Sequence, residues 1–261
     1  MYYKQRQPGL AKIITADWRS IPWELADEIY NDAADLAEET ALVAYKGEVL
    51  DKSLAIQEII LKEAMNDAHE LYITGSGDGF GGEFWRNLLK SITMERYPNT
   101  KNLHLHTNGV GWTEKIWNIL SNLHSIPRIT TEISIDAATE DTYHQIRVGG
   151  IWKVLQENLH FIFTKIPNLE FVRMTFVVQN NNYMEMVDFV KMADYFQKLN
   201  GMNTAVTFQH INNWGTFSPA EFKIKSVANE NHPEHTMFQF ETNKIKEMRN
   251  EYPNLQIFTN F

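Results

Sequence analysis

From Leu71 onward, short β-type runs alternate with stretches of helical periodicity. The apolar runs are Leu71–Thr74, Leu103–His106, Glu132–Ile135, Val172–Val178 and Val206–His210. Helical patterns follow the first four, at Glu83–Glu95, Thr113–Leu123, Ile151–Phe163 and Tyr183–Leu199. A strand-to-strand period of roughly 30–40 residues is that of a βαβ unit. Strands separated by helices pair in parallel, through right-handed crossovers. Five such strands suit a doubly wound sheet or a partial barrel, and the spacing does not choose between them. A further helix, Thr236–Glu251, precedes a candidate last strand at Leu255–Phe258. Ahead of this rhythm, Trp23, Ala26, Ile29 and Tyr30, then Ala33, Leu36 and Ala37, fall at helical spacing up to Gly47. A second helix is expected over Ser53–His69. The expected organisation is an N-terminal helical extension over 1–50 and an α/β unit over 51–261.

Composition narrows the function classes. The formal net charge is −9 and no long Lys/Arg run occurs, which argues against a nucleic-acid partner, because phosphate backbones are held by basic surfaces. No stretch approaches the ~20 apolar residues of a membrane span, and the start lacks the apolar core of a signal peptide; a cytoplasmic protein without a membrane partner is expected. The chain has no cysteine, so disulfides, thiolate nucleophiles and thiolate-held clusters are excluded.

In parallel α/β folds, ligands bind where the loops converge at the carboxyl ends of the strands. Here those ends are polar: Gly75-Ser76-Gly77-Asp78, then Thr107-Asn108-Gly109, Ser134 with Asp136, Gln179-Asn180-Asn181-Asn182, and Gln209 followed by Asn213-Trp214. The glycine-rich loop reads either as tight turns or as an amide cradle for an anion, with Asp78 accepting from an ammonium group. Ser134 and Asp136 alternate with Ile133 and Ile135 and are expected on one strand face. That face needs hydrogen-bond partners, from a ribose or from backbone amides. Arg147 reads either as a carboxylate clamp or as a helix cap. Trp214, beside Gly215, reads either as a pocket wall or as packing. His104 and His106 share a strand face but lack a third metal ligand; they are expected to bond to neighbours.

The segments GSGD, TNG, SIDAAT, FVVQ and NWGTFS, in that order, resemble the barrel of radical S-adenosylmethionine enzymes, in the branch that modifies peptides and carries cysteine-rich auxiliary domains. The resemblance covers about Leu71 to Phe222 and implies a partial (β/α)6 TIM-like barrel. It implies an S-adenosylmethionine site in which Gly75, Ser76, Gly77 and Asp78 match the amino-group loop. Asn108 falls in the next loop, Ser134 and Asp136 match the ribose strand, and Gln179 lies beside the adenosyl pocket. Arg147, Gln209, Asn213 and Trp214 are then candidates for a substrate pocket.

The family holds a 4Fe-4S cluster on three cysteines in the loop after its first strand. This chain has no cysteine, so no cluster is expected from it alone. The stretch KIITADWRSIPW reads as a first strand with its loop rewritten, or the first strand is missing. Two readings follow: a cluster-less binding or accessory module, for a peptide or for S-adenosylmethionine, or the barrel portion of a split or truncated enzyme acting on a peptide, whose partner chain carries the cysteine loop. The alternative is a cofactor-independent α/β enzyme that uses Asp78 or Asp136 as general base, which requires a raised carboxyl pKa in a closed pocket.

Overall fold

A computed structural model describes residues 68–261, apart from 74–77 and 82. The N-terminal helical extension, the 1–50 boundary, most of the helix expected over Ser53–His69, and the candidate residues Gly75, Ser76 and Gly77 lie outside the described residues.

Six strands form one sheet: β1 (Glu70–Ile73), β2 (Asn102–Thr107), β3 (Ile129–Ser134), β4 (Leu169–Val178), β5 (Asn203–His210) and β6 (Leu255–Thr259). Their order is sequential, β1-β2-β3-β4-β5-β6, and every pairing is parallel. Among the described residues nothing pairs with the outer edge of β1. The helices are α1 (Glu83–Ser91), α2 (Glu114–Ile119), α3 (Glu140–Ile146), α4 (Trp152–Lys165), α5 (Met186–Asn200), α6 (Pro219–Lys225) and α7 (His235–Glu251). The expected strands and longer helices occur within a few residues of their expected places. The helix expected over Thr113–Leu123 is shorter, giving way after Leu120 to a 3-10 turn over Ser121–Ser125. None of the described helices is long and apolar enough to cross a membrane.

Two short helices, α3 and α6, were not visible in the periodicity, because caps rather than an apolar stripe define them. Thr139 caps α3 through its hydroxyl, which accepts from the Thr142 amide. Ser218 and Glu221 form a reciprocal capping box at α6, with Pro219 in the first turn.

A doubly wound sheet reverses its strand order at a switch point; this sheet does not. With sequential order and the usual right-handed crossover, each helix returns over the same face. The core follows that rule. Leu71, Ile73, Leu103, Leu105, Ile133, Val172, Met174, Phe176, Val206 and Phe208 are buried on one sheet face. They form one cluster with Leu89 of α1, Trp117 of α2, Leu155, Leu159 and Ile162 of α4, Phe189 and Ala193 of α5 and Ile245 of α7. Their alternating neighbours are Tyr72, His104, His106, Thr130, Glu132, Ser134, Arg173, Thr175, Thr207 and Gln209. A parallel sheet sandwiched between two helical layers reads as continuous apolar strands. This one alternates, and the face turned away from the helical core is polar.

Candidate functional site

The carboxyl ends of the strands are tied together by side chains that a sequence reader takes for ligand groups. Asp78 Oδ1 accepts from the Phe80 amide at 2.9 Å. Its Oδ2 accepts from the Thr107 hydroxyl at 2.8 Å and the Asn108 amide at 2.6 Å. Both oxygens of the carboxylate are thus engaged, and Asp78 joins the loop after β1 to the loop after β2. The Asn108 side-chain oxygen, Oδ1, accepts from the Val110 amide, closing its own turn. From α4, Asn158 donates to the carbonyls of Gly109 and Val110. Gly109 has φ +78°, and an added Cβ would lie 2.8 Å from Leu155 Cδ1, so only glycine fits this turn beneath α4.

Asp136 does the same between β3 and β4. Strand β3 ends at Ser134, and Asp136 takes φ +64°, a left-handed conformation open to Asp and Asn but strained for most residues. The strand alternation expected to set Asp136 beside Ser134 therefore stops at Ser134. The Asp136 carboxylate accepts from the Val177 amide at 2.7 Å and pairs with Arg147 at 2.5 Å. Burial pushes its carboxyl up from the ordinary range, while the Arg147 charge and the Val177 amide pull it back. Arg147 thus clamps a carboxylate and stands at the end of α3, combining both readings of it; the carboxylate is the chain's own. Asn182 donates to the carbonyls of Asp136 and Val177, and its oxygen accepts from the Gln179 amide. Gln179 is buried, with its side-chain oxygen 3.4 Å from Lys225 Nζ. Glu185 completes the rim by accepting from the Ala138 and Thr139 amides and the Thr139 and Thr142 hydroxyls.

Beyond β5, Asn213 organises its own loop: its oxygen accepts from the Gly215 and Phe217 amides and its NH2 donates to the Phe217 carbonyl. That loop carries Trp214 outward, 79% exposed. Gln209 lies half-buried on the polar sheet face, across from Val177.

The polar face itself is built in lateral rows set by the strand register. One row runs Tyr72, His104, Thr130, Phe171. The next runs His106, Glu132, Arg173, Ala205; the third runs Ser134, Thr175, Thr207, Phe258. The Tyr72 ring lies against His104, at 5.1 Å between centroids. His104 Nδ1 is 2.9 Å from the Thr130 hydroxyl, and His106 Nε2 is 3.0 Å from the Ser134 hydroxyl, which also receives Thr175 at 3.3 Å. Both histidines thus bond to strand neighbours. Among the described residues no three His, Asp or Glu side chains gather closely enough to share a metal ion. Glu132 and Arg173 face each other at 3.5 Å. These two, with Thr175 and Thr207, escaped sequence reasoning; the available signal was the alternation Thr130, Glu132, Ser134 and Arg173, Thr175 through strands otherwise apolar. An open groove of about 450 Å³ between α4 and α5, lined by Gln156, Glu157, His160, Tyr195 and Phe196, belongs to the helical layer and not to this face.

No protein-family model matches the chain, and no curated protein matches it.

Two consequences can be measured. Replacing Asp136 with Ala leaves Arg147 and the Val177 amide without their acceptor and puts Ala in a left-handed conformation. Unfolding stability in urea should fall by about 3 kcal/mol or more. Asp136→Asn, which tolerates that backbone and keeps one acceptor, should lose less. Burial also pushes the His104 imidazole below its ordinary value of 6.5, with Glu132 partly opposing. The unfolded chain then binds the proton more readily than the native one. The stabilisation is full above the unfolded value and is lost as pH falls through it toward the folded value. The urea midpoint should drop as pH falls through the unfolded imidazole's value of about 6.5 and below, and His104→Gln should flatten that drop.

Proposed function

We propose that this chain is a cluster-less relative of the radical S-adenosylmethionine enzymes, in which the sheet curls as a partial (β/α)6 barrel and its polar face binds a small polar ligand. It acts as a binding or accessory module, or as the barrel portion of a split enzyme acting on a peptide, with a partner chain supplying the cysteine loop. The observation that carries this reading is the polar, alternating face of a sequential six-strand parallel sheet. In a barrel this is the inward face, whose side chains either pack against one another or surround a small ligand, and polar side chains there suit the second. The ordered run of motifs from GSGD to NWGTFS supports the family, and the lack of cysteine supports the loss of the cluster.

The chemistry that remains is recognition. Ser134, half-exposed at the carboxyl end of β3, offers a hydroxyl to a ribose. Asp136 is better understood as the support beneath that strand end than as a ligand group, because both its oxygens are engaged. The same engagement weakens the general-base alternative: a proton on Asp78 or Asp136 would weaken the hydrogen bonds and the ion pair that tie one strand end to the next. The acidic charge argues against a nucleic-acid partner, and a cytoplasmic setting without a membrane partner remains part of the proposal.

Two measurements test the reading. Anaerobic reconstitution with iron and sulfide should leave the isolated protein colourless; a brown product would overturn the cluster-less assignment. In calorimetry, adenosine and S-adenosylmethionine should both bind weakly, near the millimolar level of about −4 kcal/mol, since no iron chelates the amino and carboxylate groups. Ser134→Phe, which fills the polar face, should abolish both. Adenosine binding untouched by Ser134→Phe, or none at all, would remove the site assignment.

A further inference from the structure

We propose that Glu132 and Arg173 form a head-group site for a zwitterionic α-amino acid on the polar sheet face; this rests on the reading of that face as ligand-binding. The two side chains are register neighbours on β3 and β4, in the middle of the sheet. Arg173 Nη1 lies 3.5 Å from Glu132 Oε2, outside the 2.7–3.2 Å of a good N–H···O bond. The guanidinium makes no hydrogen bond to any described residue, and its Nε is buried without an acceptor. Its other contact is a loose one over the Phe171 ring, at 5.8 Å. The buried Nε has no acceptor, and the rest of the fork is open to solvent and only loosely placed against Glu132.

Both side chains remain reachable, Arg173 at 40% exposure and Glu132 at 19%. The next residue in the row beyond Arg173 is Ala205, whose methyl competes for neither charge. The chemistry of the ligand follows from the pair. A bare carboxylate attracted to Arg173 would be repelled by Glu132, and a bare amine would meet the converse. A group that carries both charges one carbon apart satisfies the two together. Its carboxylate takes two N–H donors from the Nη edge of the fork, and its ammonium donates to Glu132. The Ser134 and Thr175 hydroxyls, one row nearer the carboxyl ends, would face the ligand's remaining polar atoms.

The test titrates the twenty free L-α-amino acids, one at a time, into the full chain by calorimetry. Each is compared with its methyl ester and with its analogue lacking the amino group, and adenosine serves as an independent probe of the same face. The expected result is that at least one amino acid binds, with ester and deaminated analogue at least about tenfold weaker, a difference of about 1.4 kcal/mol. Arg173→Met should lose at least tenfold in affinity for that amino acid while adenosine binding is retained. Arg173→Lys should recover only part of it. Glu132→Gln should abolish the preference for the amino acid over its deaminated analogue, a readout that mere destabilisation would not move. If no amino acid binds while adenosine does, the head-group site is wrong and the ligand-binding face stands. If neither binds, both fall. Equal affinity in Arg173→Met and the parent would also overturn the proposal.

Discussion

Sequential parallel pairing with crossovers of one hand is the constraint from which the remaining features follow. It sends α1, α2, α4, α5 and α7 over one face of the sheet and leaves the other face to be satisfied by side chains. Leu103, Leu105, Val172, Met174 and Phe176 therefore carry the core, while His104, His106, Arg173 and Thr175 stand between them on the opposite side. The same rule puts all loops that follow strands on one rim, where backbone groups at the strand ends need partners. Asp78, Asp136, Asn158, Asn182 and Glu185 supply them, each bridging segments far apart in sequence.

Polar residues thus divide by the state of their hydrogen bonds and not by their charge. The rim acids have every oxygen engaged and hold neighbouring strands in place. On the polar face, Glu132 and Arg173 are close but poorly bonded, and the Thr207 hydroxyl is buried without a partner. Saturated groups are costly to disturb and make poor reagents; unsaturated ones have interaction energy left for a ligand. The rim is therefore support, and under the proposed function recognition falls toward the middle of the sheet.

The absence of thiols gives the proposed relationship its meaning. A cluster held by cysteine supplies both an electron and a chelating site for the cofactor's amino and carboxylate groups. On the proposed reading, a chain with the strand rhythm but no sulfur donor would keep the scaffold and the polar lining and would lose the cluster that starts radical chemistry. Binding by hydroxyls, imidazoles and an acid–base pair is what such a lining can still do.

Much of the fold was legible in the sequence, because strand and helix periods are local. The runs at Leu103–His106 and Val206–His210 lie inside β2 and β5, and the pattern at Ile151–Phe163 inside one residue of α4. The candidate site was legible only as a set of residues at strand ends: its motifs brought Asp78, Ser134, Asp136 and Arg147 to attention, but not their state. Strand order was not readable, since periodicity says what an element is and nothing about its neighbour; only the completed sheet separated the sequential arrangement from the doubly wound one. The left-handed turn at Asp136, its pairing with Arg147 eleven residues on, and the meeting of Glu132 with Arg173 across two strands are likewise products of tertiary packing. The sequence alone determined the elements, the apolar face and the missing sulfur. Three-dimensional pairing decided which polar groups were consumed in holding the strands and which were left for something else, because hydrogen-bond saturation depends on distances between residues that the chain order keeps apart.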